Sequence, residues 1–196
     1  MKKLFALAVL FLFSITVYAQ ERDNSYGENL LSIRPYVGYA TPQISDLGIG
    51  LSYERFLNEY MSVSVPFTYG LGSNMIQTGL GLKLYPTGHE RTVKYAIGPT
   101  LLFSRSSQGI EVLRQDTLNN FDFFEEIDNP LTQVGFMLTN SLNVTVQKKI
   151  YLGAELGLGL NYINHYKTKS IDNRQIVQED GANVLFMFSL SMGYRF

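Results

Sequence analysis

Residues 184–196 read Val-Leu-Phe-Met-Phe-Ser-Leu-Ser-Met-Gly-Tyr-Arg-Phe. Large apolar side chains recur at every second position from Val184 to Phe196, and from Ser189 onward the positions between them hold Ser, Gly and Arg. Side chains of alternate residues in a β-strand point to opposite faces. This stretch therefore predicts a strand with one apolar face and one small, polar face.

Seven other segments of the chain repeat the same period of two. Apolar side chains occupy one parity, and the other parity holds Gly, Ser, Thr, Asn and isolated charged residues. The eight segments span residues 31–39, 49–53, 61–69, 76–84, 93–103, 134–146, 150–162 and 184–196. The sequence therefore predicts an all-β chain of eight strands.

The composition of the second face indicates which face is outside. A soluble sandwich buries its apolar face and exposes large charged side chains, yet only 17% of the residues are charged and the second face is rich in Gly and Ser. Such small residues suit a crowded interior where backbones approach closely. We therefore expect the apolar face to meet lipid, which predicts an eight-stranded antiparallel up-and-down transmembrane β-barrel. Closure of that barrel leaves no unpaired strand edge in hydrocarbon.

The links between the segments alternate in length. Short links at 58–59, 86–92 and 148–149 alternate with links at 41–47, 70–75, 105–133 and 163–182, which include the longest ones. Short turns at one end and longer loops at the other are typical of outer-membrane barrels. Three prolines lie inside predicted strands and remove ladder donors, so we expect irregularities or bulges at Pro35, Pro66 and Pro99.

Aromatic residues gather toward the two ends of the apolar face, as girdles at two membrane interfaces would. The group at the long-loop end is Tyr39, Tyr69, Phe103, Phe136 and Tyr162, and the group at the other end is Tyr53, Tyr95, Tyr194 and Phe196. Asn140 interrupts the apolar face. We expect a local distortion with the Asn140 amide bonded to the backbone, and the alternative is a lateral contact with another protein.

The overall composition excludes several classes of function. The chain has 196 residues, a formal net charge of -1 and no cysteine. A near-neutral charge argues against a nucleic-acid partner, which would require a clustered basic surface. The lack of cysteine removes disulfides, thiolate metal sites and cysteine nucleophiles. We predict no metal and no cofactor.

The N-terminal residues have the three-part pattern of a secretory signal peptide. A basic start at Lys2 and Lys3 precedes an apolar run over residues 4–13, and Val17-Tyr18-Ala19 fits a small-residue cleavage site. The sequence therefore predicts a signal peptide over residues 1–19 and a barrel domain over residues 20–196. The alternative, a membrane anchor, is disfavoured because the apolar run is shorter than the ~20 residues that span a bilayer.

Charged residues on the inward parity are the first candidates for a functional site. We expect a shared ion-pair network, because an unpaired charge in a narrow lumen is costly. Its predicted members are Arg34, Glu54, Lys83, Glu155 and Arg195, and Lys94 also points inward. Arg34 would face Glu54 if the first hairpin turned near Ile44, and Glu155 would reach Lys83 or Arg34. The alternative is a gated ion path or a ligand site.

The link at 105–133 is the second candidate, because loops of this length are usually functional or disordered. It carries six acidic residues against Arg105 and Arg114, and aromatic residues lie among the acids. The residues expected to contact a protein, a glycan or a cation are Phe121, Phe123, Phe124, Glu125 and Glu126. The alternative is a lid whose Phe side chains fold back over the barrel mouth.

The C-terminal segment also supports a resemblance to a known family. Its alternation up to a terminal Phe, at Met192, Tyr194 and Phe196, resembles the signal by which outer-membrane proteins engage the barrel-assembly machinery. The whole predicted mature chain resembles the small eight-stranded outer-membrane barrels of Gram-negative bacteria, which include OmpA- and OmpX-like barrels and porin-family, PorT-like barrels. The resemblance implies a location in the cell outer membrane and contact with its lipid.

Three functions remain compatible with this resemblance. The first is a non-enzymatic barrel with a structural, porin-like or surface-interaction role, and the second is an accessory barrel of an envelope secretion or transport complex. The third is a lipid A-modifying enzyme, which would use a His with a Ser and a carboxylate. His165 with Ser170 and Asp172 is the available set, and we favour a solvated loop histidine there, because neighbours in a loop define no geometry.

Overall fold

A computed structural model describes residues 26–41, 44–72, 74–116, 121–166 and 182–196. The predicted signal peptide and its cleavage site lie outside these residues. Eight strands form in chain order: β1 (Asn29–Thr41), β2 (Ile44–Asn58), β3 (Met61–Gly70), β4 (Ile76–Leu84), β5 (Val93–Asp116), β6 (Phe121–Val146), β7 (Ile150–Tyr166) and β8 (Asn183–Arg195). No helix in the described residues is long and apolar enough to cross a membrane.

Each strand pairs antiparallel with the next, and β1 pairs with β8 to close the sheet. The predicted eight-stranded up-and-down barrel is therefore confirmed. The backbones of Asn29 and Phe196 exchange two hydrogen bonds of 2.9 Å at the closing seam. This end of the barrel also carries the turns after β2, β4 and β6, and we call it the short-turn end.

The predicted orientation of the two faces is also confirmed. On β8, Met192 and Phe196 are 63% and 58% exposed, whereas Arg195 between them is 1% exposed. Apolar side chains cover the outside on all eight strands, and the serine, threonine and charged side chains of the opposite parity are buried. This distribution is the reverse of a soluble core and is stable only where the outside solvent is hydrocarbon.

Two of the predicted long links are wrong, because strands occupy them. Only residues 42–43 separate β1 from β2, and only residues 117–120 separate β5 from β6. Antiparallel pairing continues from Arg105 with Thr132 out to Asp116 with Phe121. A hairpin that leaves the membrane has water on both faces, so the apolar alternation that marks a membrane strand need not continue along it.

The irregularities expected at the three prolines are present, but they are interruptions of pairing and not bulges. The register shifts lie at Tyr39/Thr41, Phe56/Asn58 and Val134/Gly135. At each proline the pairing with one neighbouring strand is interrupted while the register is kept. In β1, for example, pairing with β8 stops after Ile33–Met192 and resumes in the same register at Tyr36–Ser189. Proline removes one donor, and the barrel tolerates that local loss without inserting a residue.

Apolar side chains inside the barrel form two clusters that the alternation does not predict. The cluster near the short-turn end contains Leu30, Phe56, Tyr85, Ala96 and Tyr151. The cluster toward the opposite end contains Leu102, Met137 and Leu185, with Met187 packed against them. Glycines make room for the largest inward side chains, since a Cβ on Gly48 would overlap the ring of Tyr36. The predicted polar lumen is therefore layered, with charged residues between apolar ones.

Candidate functional site

The middle of the lumen holds a layer of four charged side chains from four strands. Arg34 from β1 forms an ion pair with Glu155 from β7. Lys83 from β4 lies 2.8 Å from Glu155 Oε2 and 3.4 Å from Glu54 Oε2 of β2. Each of these four residues is at most 6% exposed. The two cations and two carboxylates form one chain, Arg34–Glu155–Lys83–Glu54, which we call the charged layer.

Neutral side chains form hydrogen bonds with Arg34 and Glu54, the residues at the two ends of the charged layer. At one end, Arg34 donates to Ser189 Oγ of β8 over 2.9 Å. At the other end, the hydroxyls of Ser62 and Tyr85 both donate to Glu54 Oε1. Buried ion pairs stabilise a fold only when such hydrogen bonds complete them. The sequence reasoning missed Ser62, Tyr85 and Ser189, because Ser and Tyr recur throughout the chain and nothing marks these three.

The expected direct pairing of Arg34 with Glu54 is wrong. Arg34 lies opposite Gly50, and Glu54 lies opposite Leu30. The cause is the position of the first turn, because the pairing of β1 with β2 is centred about two residues before Ile44 and this moves the partner of Arg34 by four residues. Glu155 does join both Arg34 and Lys83 across the lumen, and Lys83 links it to Glu54.

The arrangement fills the lumen rather than lining a channel. Two cavities of about 30 Å³ and 10 Å³ lie beside the charged layer, among Gln77, Leu102, Met137 and Met187. Cavities of this size hold one or a few water molecules. The charged layer and the two apolar clusters therefore lie across the lumen at three levels.

Arg195 lies apart from the charged layer, which corrects the expectation that it joins that network. Its guanidinium donates to the carbonyl oxygens of Gly27 and His89 over 2.9 Å and 3.0 Å, and a third nitrogen lies 2.9 Å from His89 Nδ1. The same group lies over the ring of Phe56, 4.1 Å from its centroid. Lys94 Nζ donates to the His89 carbonyl over 2.8 Å. We call Arg195, His89, Lys94 and Phe56 the mouth cluster.

His89 comes from the turn over residues 85–92 and is 6% exposed. Burial and the positive charges of Arg195 and Lys94 lower the pKa of His89 to about 4 from its ordinary 6.5. The neutral ring fits between cations, since it accepts a hydrogen bond and adds no charge. The sequence predicts that His89 lies in a short turn, but no local pattern indicates that this turn folds into the barrel mouth.

The lipid-facing wall, the filled lumen and the closed sheet identify the architecture, and comparisons with known structures agree. The fold is that of the small eight-stranded outer-membrane barrels. A major outer membrane protein from Thermus thermophilus superposes with a TM-score of 0.54 at 13% sequence identity, over 86% of this chain and 99% of that one. Neisserial surface protein A superposes with a TM-score of 0.51 at 15% identity, over 86% and 97% of the two chains. At these identities the likeness concerns the fold alone.

Comparisons of sequence add no narrower identity. No protein-family model matches this chain, and no curated protein matches it. A function for the barrel therefore has to be argued from its own residues.

The hairpin formed by β5 and β6 carries the residues expected to contact a partner. In register, Phe121 lies opposite Asp116, Phe123 opposite Arg114 and Phe124 opposite Leu113. Glu125 lies opposite Val112, and Glu126 lies opposite Glu111. These positions are on paired strands, so the expected loop is wrong for the backbone. The side chains at these positions lie outside the described ones, and the alternative of a lid formed by the Phe side chains stays a prediction.

The outward residues singled out in the sequence lie where the strands place them. Met192, Tyr194 and Phe196 are exposed on the lipid-facing side of β8. Asn140 accepts a hydrogen bond from the hydroxyl of Tyr95 on the same outer face, which corrects the expected bond to the backbone. Of the girdle residues, Tyr69, Phe103, Phe136 and Tyr162 are exposed near one end, and Tyr95, Tyr194 and Phe196 near the other.

The residues of the enzyme hypothesis are not brought together in the described part of the chain. His165 is exposed near the end of β7, opposite Thr132 of β6. Ser170 and Asp172 lie outside the described residues. Among the residues that the structure covers, no group of three or more His, Cys, Asp or Glu side chains is arranged to hold a metal ion.

Proposed function

We propose that this chain is a non-enzymatic outer-membrane protein whose filled barrel anchors the β5–β6 hairpin at the cell surface for contact with a partner. The hairpin is the observation that carries the proposal. Pairing of β5 with β4 ends at Arg105, and pairing of β6 with β7 ends at Leu131. In the described part of the chain, residues 106–116 and 121–130 pair only with each other, and 11 residues at 3.3 Å each give a ribbon about 35 Å long.

The composition of the hairpin supports contact with a macromolecule. Its strands carry Glu111, Asp116, Asp122, Glu125, Glu126 and Asp128 against the single base Arg114. Glu111 and Glu126 occupy directly opposite positions, and like charges in that relation destabilise a ribbon. An isolated two-stranded ribbon is itself marginally stable in water. A partner that neutralises the acids and covers an edge of the ribbon would offset both costs.

The filled lumen supports an anchoring role over a porin-like one. The charged layer connects four of the eight strands across the lumen, and two cavities beside it have volumes of about 30 Å³ and 10 Å³. A purified barrel in a planar lipid bilayer should therefore show no stable open-channel current. Sustained single-channel conductance would overturn this part of the proposal in favour of the porin-like role.

Photo-crosslinking on intact cells tests the contact itself. A photo-reactive residue at Val112, on the hairpin, should form a covalent product with a surface macromolecule, and the same residue at Leu190 in the lipid-facing belt serves as the matched control. Products that are the same at both positions would contradict the proposal. Replacement of residues 108–129 by an Asn-Gly turn should abolish the product while the heat-dependent gel shift of the folded barrel remains.

The same observations fit an accessory barrel of an envelope secretion or transport complex, in which the partner would be another subunit. Identification of the crosslinked product distinguishes this case from contact with a glycan. We also propose that Met192, Tyr194 and Phe196 act as the assembly signal, since all three lie on the outer face of the closing strand. Replacing Phe196 by Ser should reduce the amount of assembled barrel, whereas replacing Ile150 on the neighbouring strand should reduce it less.

A further inference from the structure

The turn between β4 and β5 closes the short-turn end of the barrel. The His89 N–H donates to the Glu59 carbonyl, and the Gly88 N–H donates to the Tyr85 carbonyl, both over 2.9 Å. The His89 carbonyl in turn accepts bonds from Lys94 and Arg195. His89 thus ties its turn to the β2–β3 turn, to the start of β5 and to the end of β8. The imidazole ring lies on Phe56 with 4.3 Å between the ring centroids.

The contact between Arg195 and the His89 ring requires one protonation state. Every polar hydrogen of a guanidinium is a donor, so the nitrogen 2.9 Å from His89 Nδ1 can only donate to it. Nδ1 must therefore carry a lone pair, and the proton of the neutral ring resides on Nε2. Protonation of Nδ1 would turn this hydrogen bond into a contact between two donors that both carry positive charge.

Burial and the two nearest cations oppose an added proton on the His89 ring, and Glu54 offsets them only in part. Arg195 of β8 and Lys94 of β5 are the cations nearest the ring, and Tyr85 lies beside it with ring centroids 6.3 Å apart. Glu54 of β2 is already bonded to Lys83, Ser62 and Tyr85. Glu28, Glu59 and Glu90 line a cavity of about 230 Å³ that His89 also borders. A proton on His89 therefore adds a third positive charge to the mouth cluster.

We propose that His89 is an acid-sensitive latch, which holds the turn over residues 85–92 in the barrel mouth when neutral and releases it when protonated. Release breaks the Arg195 contact and frees the turn from β5 and β8. The charged layer above the mouth keeps its own pairs, so the barrel stays folded. The acid state exposes Arg195, Lys94 and Phe56 at the short-turn end, which faces the periplasm in the orientation proposed above.

The direction of the pH dependence follows from proton linkage. The closed state holds His89 with a pKa of about 4, whereas a released and solvated histidine has its ordinary value of 6.5. The released state binds more protons between these two values, so closure weakens as the pH falls from 6.5 toward 4. Between pH 7 and pH 5 the equilibrium constant for release should rise about 20-fold.

Amide hydrogen exchange of the full barrel in detergent micelles tests the latch. The protection factors of Gly88 and His89, corrected for the pH dependence of intrinsic exchange, should fall about 20-fold from pH 7 to pH 5. Amides in the middle of β7 should change little, which separates release of the turn from unfolding. His89→Gln removes the titration of the ring but keeps an acceptor, so the 20-fold fall in protection should disappear. The matched control is His165→Gln, which should respond as the original chain does.

Two results would overturn the latch. One is unchanged protection of Gly88 and His89 between pH 7 and pH 5, and the other is an equal loss of protection in His89→Gln. If His89→Gln does not fold, the ring of His89 can be titrated by NMR in the His165→Gln chain, where it is the only histidine. A titration midpoint near 6.5 with no change in the turn amides contradicts the proposal, and a midpoint below 5 coupled to their exposure supports it.

Discussion

The charged layer and the mouth cluster bury cations to similar extents but satisfy them with different groups. In the charged layer, Arg34 and Lys83 have carboxylate partners in Glu155 and Glu54. In the mouth cluster, Arg195 bonds to carbonyl oxygens and a histidine nitrogen and lies over an aromatic ring. The first arrangement is neutral overall and the second is not. The mouth cluster therefore needs His89 to stay uncharged so that its ring can accept a hydrogen bond. The charged layer has no such requirement, because its acceptors are carboxylates.

The largest expected effect tests whether pairing is what stabilises the charged layer. Glu155→Gln keeps the shape of the side chain but leaves Arg34 and Lys83 without their shared carboxylate. The free energy of unfolding should fall by about 3–5 kcal/mol, because two buried cations lose their shared countercharge. Urea titration of the folded barrel in micelles, followed by the gel shift, measures this loss. The control is Ser141→Ala, at the position opposite Glu155 in register, and a loss no larger than that of the control would refute the prediction.

A double variant separates the contribution of the ion pair to stability from the cost of leaving one of its charges unpaired. Arg34→Met with Glu155→Leu removes both charges and leaves Lys83 with Glu54. Apolar replacement of a buried ion pair is often neutral, so stability should lie within about 1 kcal/mol of the original chain. The same urea titration applies. If the double variant is as unstable as Glu155→Gln, packing at these positions matters more than charge balance.

The third prediction moves to the mouth cluster. Arg195→Lys keeps the charge but loses the planar fork that reaches Gly27, the His89 carbonyl and the His89 ring together. The loss should be about 1.5–3 kcal/mol, the range for hydrogen bonds to charged groups, and smaller than that of Glu155→Gln. The heat-dependent gel shift measures it against Arg55→Lys on the outer side of β2. If the gel shift of the two variants has the same midpoint temperature, the positive charge at position 195 is sufficient for stability and the planar fork is not required.

The sequence predicted the fold because lipid imposes one simple rule on every strand. Apolar residues at alternate positions had to face outward, and Met192 and Arg195 show how sharply β8 obeys that rule. The same rule predicted which charged residues point inward. This rule does not predict the hairpin beyond Arg105, where the expected loop is a pair of strands.

The contacts within the lumen could be predicted only in part. Glu155 lies near the middle of β7, so its reach to Lys83 and Arg34 follows from the narrowness of the barrel. The partner of Arg34 on the neighbouring strand depends on the position of one turn, and a turn two residues earlier than expected places Gly50 rather than Glu54 opposite Arg34. Arg195 and His89 meet only because the turn over residues 85–92 folds inward. The alternation of apolar and polar residues along the strands gives no information about how such a turn folds.

The variant with the smallest expected effect on stability is also the most direct test of the difference between the charged layer and the mouth cluster. Lys94→Met removes a cation that makes one hydrogen bond to the His89 carbonyl, and the loss of that bond is offset by relief of repulsion from Arg195. Unfolding by urea should change by less than about 1 kcal/mol. Because Lys94 is one of the two positive neighbours that lower the pKa of His89, its removal should raise that pKa above 4. NMR titration of the His89 ring in the His165→Gln background measures the shift, and release of the turn should move to higher pH with it. If the pKa of His89 stays unchanged, burial and Arg195 alone lower it. In that case only one cation of the mouth cluster, Arg195, acts on the ring without a carboxylate partner, and not two.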